Sequence, residues 1–136
     1  ACVERLAGRT PSVRLDLVPG CVYCRPEIAS VGLTEADGKA RDIPVKVGKC
    51  TLFANARTMI AGTGRSFMKV VAHAQTGALL GAQLMCEHAT DMIGQLSQAI
   101  ANGMTARQLL AAMRPHPTFE EALGEALEEL VAKLPE

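Results

Sequence analysis

The tightest constraint on this chain is a change of hydrophobic period. Before Met92 the apolar residues alternate with polar ones or come in short runs broken by turns. From Met92 onward they recur every three to four residues. A period of two buries one face of a strand, and a period near 3.6 buries one stripe of a helix. In PVKVGKCTLF (residues 44–53), Val45 and Val47 flank Lys46 as a half-buried strand, and Phe67 to Ala72 read as another. Gln75-Thr76-Gly77 supplies a turn from which Leu79 to Met85 return as the hairpin partner. Met92, Ile93, Leu96, Ala99 and Ile100 then mark a helix that stops at Asn102-Gly103, and a short helix follows Thr105 as its cap. After Thr118, Phe119, Ala122, Leu123, Ala126, Leu127 and Leu130 form an apolar stripe opposite Glu120, Glu125, Glu128 and Glu129. Strands first and helices after predict an α+β fold, an α/β sandwich of a mostly antiparallel sheet with helices on one face.

The 136 residues fit one domain with no internal repeat. Residues 1–10, ACVERLAGRT, read as the tail of a preceding helix or a linker, with Gly8 as the stop, and residues 11–136 as the domain. The chain opens on Ala1 rather than Met, so a piece of a longer protein is expected. Residues 9–20 form a connector, Ala29 to Leu33 a short strand, and Thr34-Glu35-Ala36-Asp37 a capped short helix weakened by Gly38.

Charge and composition exclude several classes of function. Fourteen basic residues against fourteen acidic ones leave no field to collect nucleic acid or anionic lipid. Three Phe, one Tyr and no Trp supply few surfaces on which bases could stack. No apolar run approaches the roughly 20 residues of a membrane span, and the N-terminal residues lack the apolar core of a signal peptide. A cytoplasmic protein with neither nucleic-acid nor membrane partners is expected. Five cysteines at irregular spacing (Cys2, Cys21, Cys24, Cys50, Cys86) read as reduced thiols.

Cys21 and Cys24 do share a C-x-x-C spacing. A redox pair needs its first cysteine at a helix N-terminus, and Pro26 leaves little room for that helix. A zinc site needs a second pair of ligands, which Cys50, Cys86 and His88 do not provide at matching spacing. The expected arrangement is two small side chains on a strand, diverging because residues three apart face opposite sides, and no metal site is assigned.

The segment that can carry chemistry is RPHPTFEEA, residues 114–122. Pro115 and Pro117 stiffen the backbone around His116, which suits a general base, and Glu121 could supply the carboxylate that fixes its tautomer. The competing reading is structural: Thr118-x-x-Glu121 spells a capping box, in which the threonine accepts from the N3 amide and the glutamate bonds back to the Thr118 amide. His73 is expected to face solvent or a polar neighbour from a strand, and Cys86-Glu87-His88 to mark a strand-to-helix junction. Gly62-Thr63-Gly64-Arg65 lacks the helix and Lys-Ser/Thr pair of a phosphate loop and reads as a turn.

The runs VPGCVYCRPEIASVGLTE, VKVGKCTLFANAR, GALLGAQLM and HPTFEEALGEA, in that order, resemble the C-terminal interface domain of the flavin-dependent pyridine nucleotide-disulfide oxidoreductases, most closely the dihydrolipoamide dehydrogenase branch. The likeness covers about residues 11–131, and its most specific pieces are Pro26 to Glu35 (P-E-x-A-x-V-G-x-T-E) and His116 to Glu121 (H-P-T-x-x-E). It implies a homodimer joined by this domain, with FAD and NAD(P) held in the other domains of the parent enzyme and a dithiol substrate such as dihydrolipoamide. It also implies that His116, oriented by Glu121, is the general base, reaching with Pro117 toward the partner's flavin. Neither a G-x-G-x-x-G fingerprint nor a Cys-x4-Cys pair occurs, so the chain alone should bind no cofactor and be inactive. Pro115 stands where the family more often has a small residue, and Cys24 where it usually has a hydroxyl. Glutathione reductases share the His-Pro-Thr and Glu spacing, while the E-A-x-x-E-A run from Glu121 leans to the lipoamide branch. The alternatives from other classes are a free-standing homodimerisation module and a metal or thiol-redox module built on Cys21 and Cys24.

Overall fold

Five strands pair in the order β1-β2-β5-β4-β3, every neighbour antiparallel, in a computed structural model that describes residues 1–135. The strands are β1 (Gly20–Val22), β2 (Glu27–Gly32), β3 (Val45–Thr51), β4 (Phe67–His73) and β5 (Leu79–Cys86). The helices are α1 (Cys2–Leu6), α2 (Glu35–Ala40), α3 (Ala56–Ala61), α4 (Ala89–Ala101), α5 (Ala106–Leu110) and α6 (Glu121–Val131), with a 3-10 turn at Leu52–Ala54. Among the described residues no helix is long and apolar enough to cross a membrane.

The two long helices lie on one face of the sheet, as the change of period predicts. α4 packs over β2 and β5, α6 over β3 and β4, and α5 against α6. Ala29, Val31, Met68, Val70, Ala82 and Leu84 meet Leu96, Leu123, Leu127 and Leu130 in a single apolar cluster. Each fully buried leucine there contributes roughly 1.5–3 kcal/mol relative to exposure. The hairpin between β4 and β5 turns at Gly77, whose φ of +68° favours glycine. The short α2 begins at a capping box between Thr34 and Asp37 and sits beside β3. There Gly38 lies against Val45 and Glu35 pairs with Lys69 on the face that alternation turns away from α6.

β3 departs in one respect from its sequence pattern. Val45 and Val47 are half-buried as expected, but the residues that alternation turns toward α6 are Lys46, Gly48 and Cys50. Helix α6 runs so close to Gly48 that a Cβ there would strike the carbonyl oxygen of Ala126 and the Leu130 side chain. The same helix and the turn that follows it bond to the outer edge of the strand. Glu129 accepts from the Lys49 N–H, and Lys133 Nζ donates to the Val47 carbonyl at 2.8 Å. An edge strand otherwise offers those groups to any passing chain.

The start of α4 is capped from another element. His88 occupies its N-cap position with φ +59° and makes no side-chain cap bond. Glu27 of β2 accepts instead from Thr90 N at 2.9 Å and Thr90 Oγ1 at 2.6 Å. Glu27→Ala should remove a cap of about 1–2 kcal/mol and lower Tm by roughly 3–8 °C, with Glu27→Gln falling between it and wild type. A thermal melt of Glu27→Ala that overlays the wild type would show that the contact carries no load.

Candidate functional site

Residues 111–120 connect α5 to α6, and the apolar stripe of α6 fixes where that connection must end. Phe119, 7% exposed, is drawn into the core and lies tilted against the His88 ring at 5.6 Å between centroids. Gln95 Nε2 of α4 donates to Glu120 Oε1 at 2.6 Å. Arg114 donates to the carbonyls of Ala112 and Leu109, at 3.0 and 3.3 Å, at the C-terminal end of α5. Pro115, His116 and Pro117 are thereby left at the surface, with the His116–Pro117 peptide cis.

His116 and Glu121, paired in the sequence reading by spacing and by resemblance, meet directly. Nδ1 of His116 lies 2.8 Å from Glu121 Oε1. The other carboxylate oxygen accepts from the Thr118 N–H at 2.9 Å. That backbone bond first, and the histidine second, hold the Glu121 carboxyl below the usual carboxylate range. A group shifted in this direction contributes stability at neutral pH and loses it as pH falls through its own titration. An ionised carboxylate can only accept, so the nitrogen facing it must carry a proton, and in a neutral ring Nε2 is left with its lone pair. The imidazole side chain is 72% exposed and its carboxylate partner 28%. An imidazole so placed can accept a proton at the surface, and a negative charge behind it would stabilise the imidazolium formed.

The capping box is only half formed. Glu121 does bond back to the Thr118 N–H, but Thr118 Oγ1 donates to the Pro115 carbonyl at 2.8 Å instead of capping an N3 amide. The reason is that Phe119 and Glu120 form a turn and α6 starts at Glu121, with Glu120 in the N-cap position. The glutamate's half of the box is kept, with Oε2 on the Thr118 N–H and Oε1 on the ring.

Sequence reasoning missed α3 and its cap, Asn55. The local signal was present, since Asn55 precedes a short helix with Thr58 at N3. What no local signal contains is the bond from Asn55 Nδ2 to the Thr118 carbonyl at 2.9 Å, across 63 residues.

The remaining candidates have local roles. Cys21 pairs with Ala29 and packs on the core, whereas Cys24 lies past the end of β1, outside the strand expected for it. There, ahead of Pro26, it is exposed with Sγ 3.0 Å from the Pro26 carbonyl. No helix starts at either residue. His73 Nδ1 accepts from the Gln75 and Thr76 amides at 3.3 and 3.4 Å, the polar neighbours expected of it. Gly62, with φ +62°, ends α3, and Thr63 to Ser66 lead into β4, so no helix follows Gly62 to Arg65.

Burial, then the nearby carboxylates, push the Cys50 and Cys86 thiols up to about 12. Cys50 Sγ lies 3.0 Å from Glu125 Oε2. In a disulfide-exchange titration at about pH 8, Cys2 and Cys24 should react at once and Cys50 and Cys86 only after denaturation. Fast native labelling of Cys50 would contradict its place under α6.

Comparison with known proteins places the fold in a family. The family described as "Pyridine nucleotide-disulphide oxidoreductase, dimerisation domain" matches residues 18–127. Dihydrolipoyl dehydrogenase 3 of Pseudomonas putida is 40% identical over 126 residues, covering 93% of this chain and 27% of that protein. Dihydrolipoyl dehydrogenase of Bacillus subtilis is 41% identical over 126 residues, covering 91% and 26%. The chain thus spans about a quarter of the length of these curated relatives. Among solved structures, LpdA of Mycobacterium tuberculosis superposes with a TM-score of 0.84 at 25% identity, over 95% of this chain and 28% of that one. The HOCl-induced flavoprotein disulfide reductase RclA of Escherichia coli shares the fold, with a TM-score of 0.79 at 23% identity over 98% of this chain and 30% of that one. The chain belongs to the dimerisation-domain family of the pyridine nucleotide-disulphide oxidoreductases.

Proposed function

We propose that this chain is the dimerisation domain of a cytoplasmic, homodimeric, dihydrolipoamide dehydrogenase-like enzyme, and that His116 and Glu121 form the acid-base dyad it presents to the partner subunit's dithiol site. The observation that carries the reading is the 2.8 Å contact from His116 Nδ1 to a Glu121 carboxylate already anchored on the loop backbone. The relatives named as dihydrolipoyl dehydrogenases favour dihydrolipoamide as the substrate over another dithiol.

Among the described residues the glycines at 62 and 64 lead into a strand, where a dinucleotide cradle would lead into a helix. FAD and NAD(P), held by the other domains, supply the electron-accepting chemistry. What this chain supplies is a proton acceptor. Nε2 of His116 takes the proton of a substrate thiol, leaving a thiolate, and Glu121 steadies the resulting imidazolium. The exposed Pro115 and Pro117 limit how far the ring can wander while it waits, and His116 with Pro117 forms the tip that approaches the partner's flavin.

The test is to join the chain in frame to the FAD- and NAD-binding parts of a dihydrolipoyl dehydrogenase, replacing that enzyme's own C-terminal quarter. A dimer that reduces NAD with dihydrolipoamide is the expected result. A stable flavin-loaded dimer without that activity overturns the reading.

A further inference from the structure

Asn55 lies outside the loop that carries His116, yet it is 7% exposed and both ends of its amide are committed. Oδ1 accepts from the Thr58 N–H at 2.9 Å and from Thr58 Oγ1 at 3.0 Å, while Nδ2 donates to the Thr118 carbonyl at 2.9 Å. Turning the amide over would set oxygen against the Thr118 oxygen and NH2 against the Thr58 N–H, so this orientation is the one the site can hold. Asn55 is itself fixed to the sheet layer. The turn before it places Leu52 at 0% exposure, and Leu52 N donates to the Ser66 carbonyl at 3.1 Å, just ahead of β4.

Thr118 is the hub of the loop. Its N–H goes to Glu121, its hydroxyl to Pro115 and its carbonyl to Asn55. The first two bonds are local and would travel with the loop if it shifted. The third refers the loop to the sheet. The orientation of the Thr118 carbonyl sets ψ of Thr118, and that angle directs the chain that brings Glu121 back onto the Thr118 N–H and the His116 ring. We propose that Asn55 is a positioning residue for His116, holding the loop in the one arrangement in which the Glu121 carboxylate receives both the Thr118 N–H and the imidazole N–H. The functional consequence rests on the reading of His116 as the proton acceptor, whereas the structural claim can be tested without it.

Two variants separate the donor from the helix cap. Asn55→Asp keeps the oxygen that caps α3 but sets a carboxylate oxygen against the Thr118 carbonyl. Asn55→Ser keeps a good capping residue and lacks the reach to Thr118, and it serves if the aspartate variant does not fold. The readout is the 15N signature of the His116 ring in the 136-residue chain, at about pH 8 where an ordinary imidazole is neutral. Wild type should show one tautomer, protonated at Nδ1. Loss of that signature toward exchanging tautomers is expected in the variants and in Glu121→Gln, with the circular dichroism unchanged. A wild-type tautomer pattern in a folded Asn55 variant overturns the proposal. In the joined enzyme, Asn55→Asp should lower kcat by up to about tenfold at unchanged KM, no more than Glu121→Gln, because it acts through the hydrogen bond that Glu121 makes to the ring. If the tautomer is lost in the Asn55 variants while His116→Ala retains full activity, Asn55 positions the ring and the catalytic reading of His116 is what fails.

Discussion

In the joined enzyme, His116→Ala should lower kcat/KM for dihydrolipoamide by about a hundred- to ten-thousand-fold, the range that a positioned general base supplies. The geometry ties this loss to the ring itself. With Nδ1 held at 2.8 Å by Glu121, Nε2 is the side of the imidazole that can take a proton, and nothing else between Pro115 and Thr118 can replace it. Glu121→Gln should cost less. The amide oxygen can still accept from one partner, so the loss is that between a charge-assisted and a neutral hydrogen bond, about 1.4 kcal/mol or roughly tenfold. A drop of only a few-fold in His116→Ala, with flavin content and dimerisation intact, would return the loop to a purely structural role.

The largest effect on stability should come from Gly48. A methyl group there meets the Ala126 backbone carbonyl and the Leu130 side chain, and a backbone oxygen cannot step aside as a side chain can. Gly48→Ala should cost about 3 kcal/mol and Gly48→Val about 4–5 kcal/mol, a large share of the 5–15 kcal/mol that holds a domain together. Leu130→Ala should not rescue either variant, because the Ala126 carbonyl remains. Displacing α6 would also release Glu129 and Lys133 from the edge of β3, so the variants should aggregate more readily on partial unfolding. Urea denaturation checks the first claim and light scattering near the midpoint the second. A Gly48→Ala change below about 1 kcal/mol would mean that α6 does not lie on this strand in solution.

The elements that could be read in advance are those whose signal is local. The stripe from Phe119 to Leu130 specified α6, the turn at Gln75-Thr76-Gly77 specified the β4/β5 hairpin, and Thr105 specified the start of α5. Cys21 and Cys24 could likewise be set aside as a redox pair, because the helix such a pair needs was missing from the residues after them. α3 was overlooked for the opposite reason. Six residues between a strand and a glycine turn carry too little periodicity to stand out, and the helix holds through its Asn55 cap. The sequence pattern of β3 drew attention to Val45 and Val47, yet its contact with the helix layer is made at Gly48, where the informative feature is a side chain that is absent.

The dyad divides along the same line. From the residues alone came the class of fold, the stiffened loop and the five-residue interval between an imidazole and a carboxylate, because periodicity, proline geometry and helical reach act within a few residues of one another. Only the packed structure decided that Thr118 turns its hydroxyl to Pro115, that Glu121 holds both the Thr118 N–H and His116, and that Asn55 anchors the loop from 63 residues away. Those contacts join segments brought together by burying Leu52, Phe119 and the α6 stripe in one core, and such burial depends on the whole chain at once.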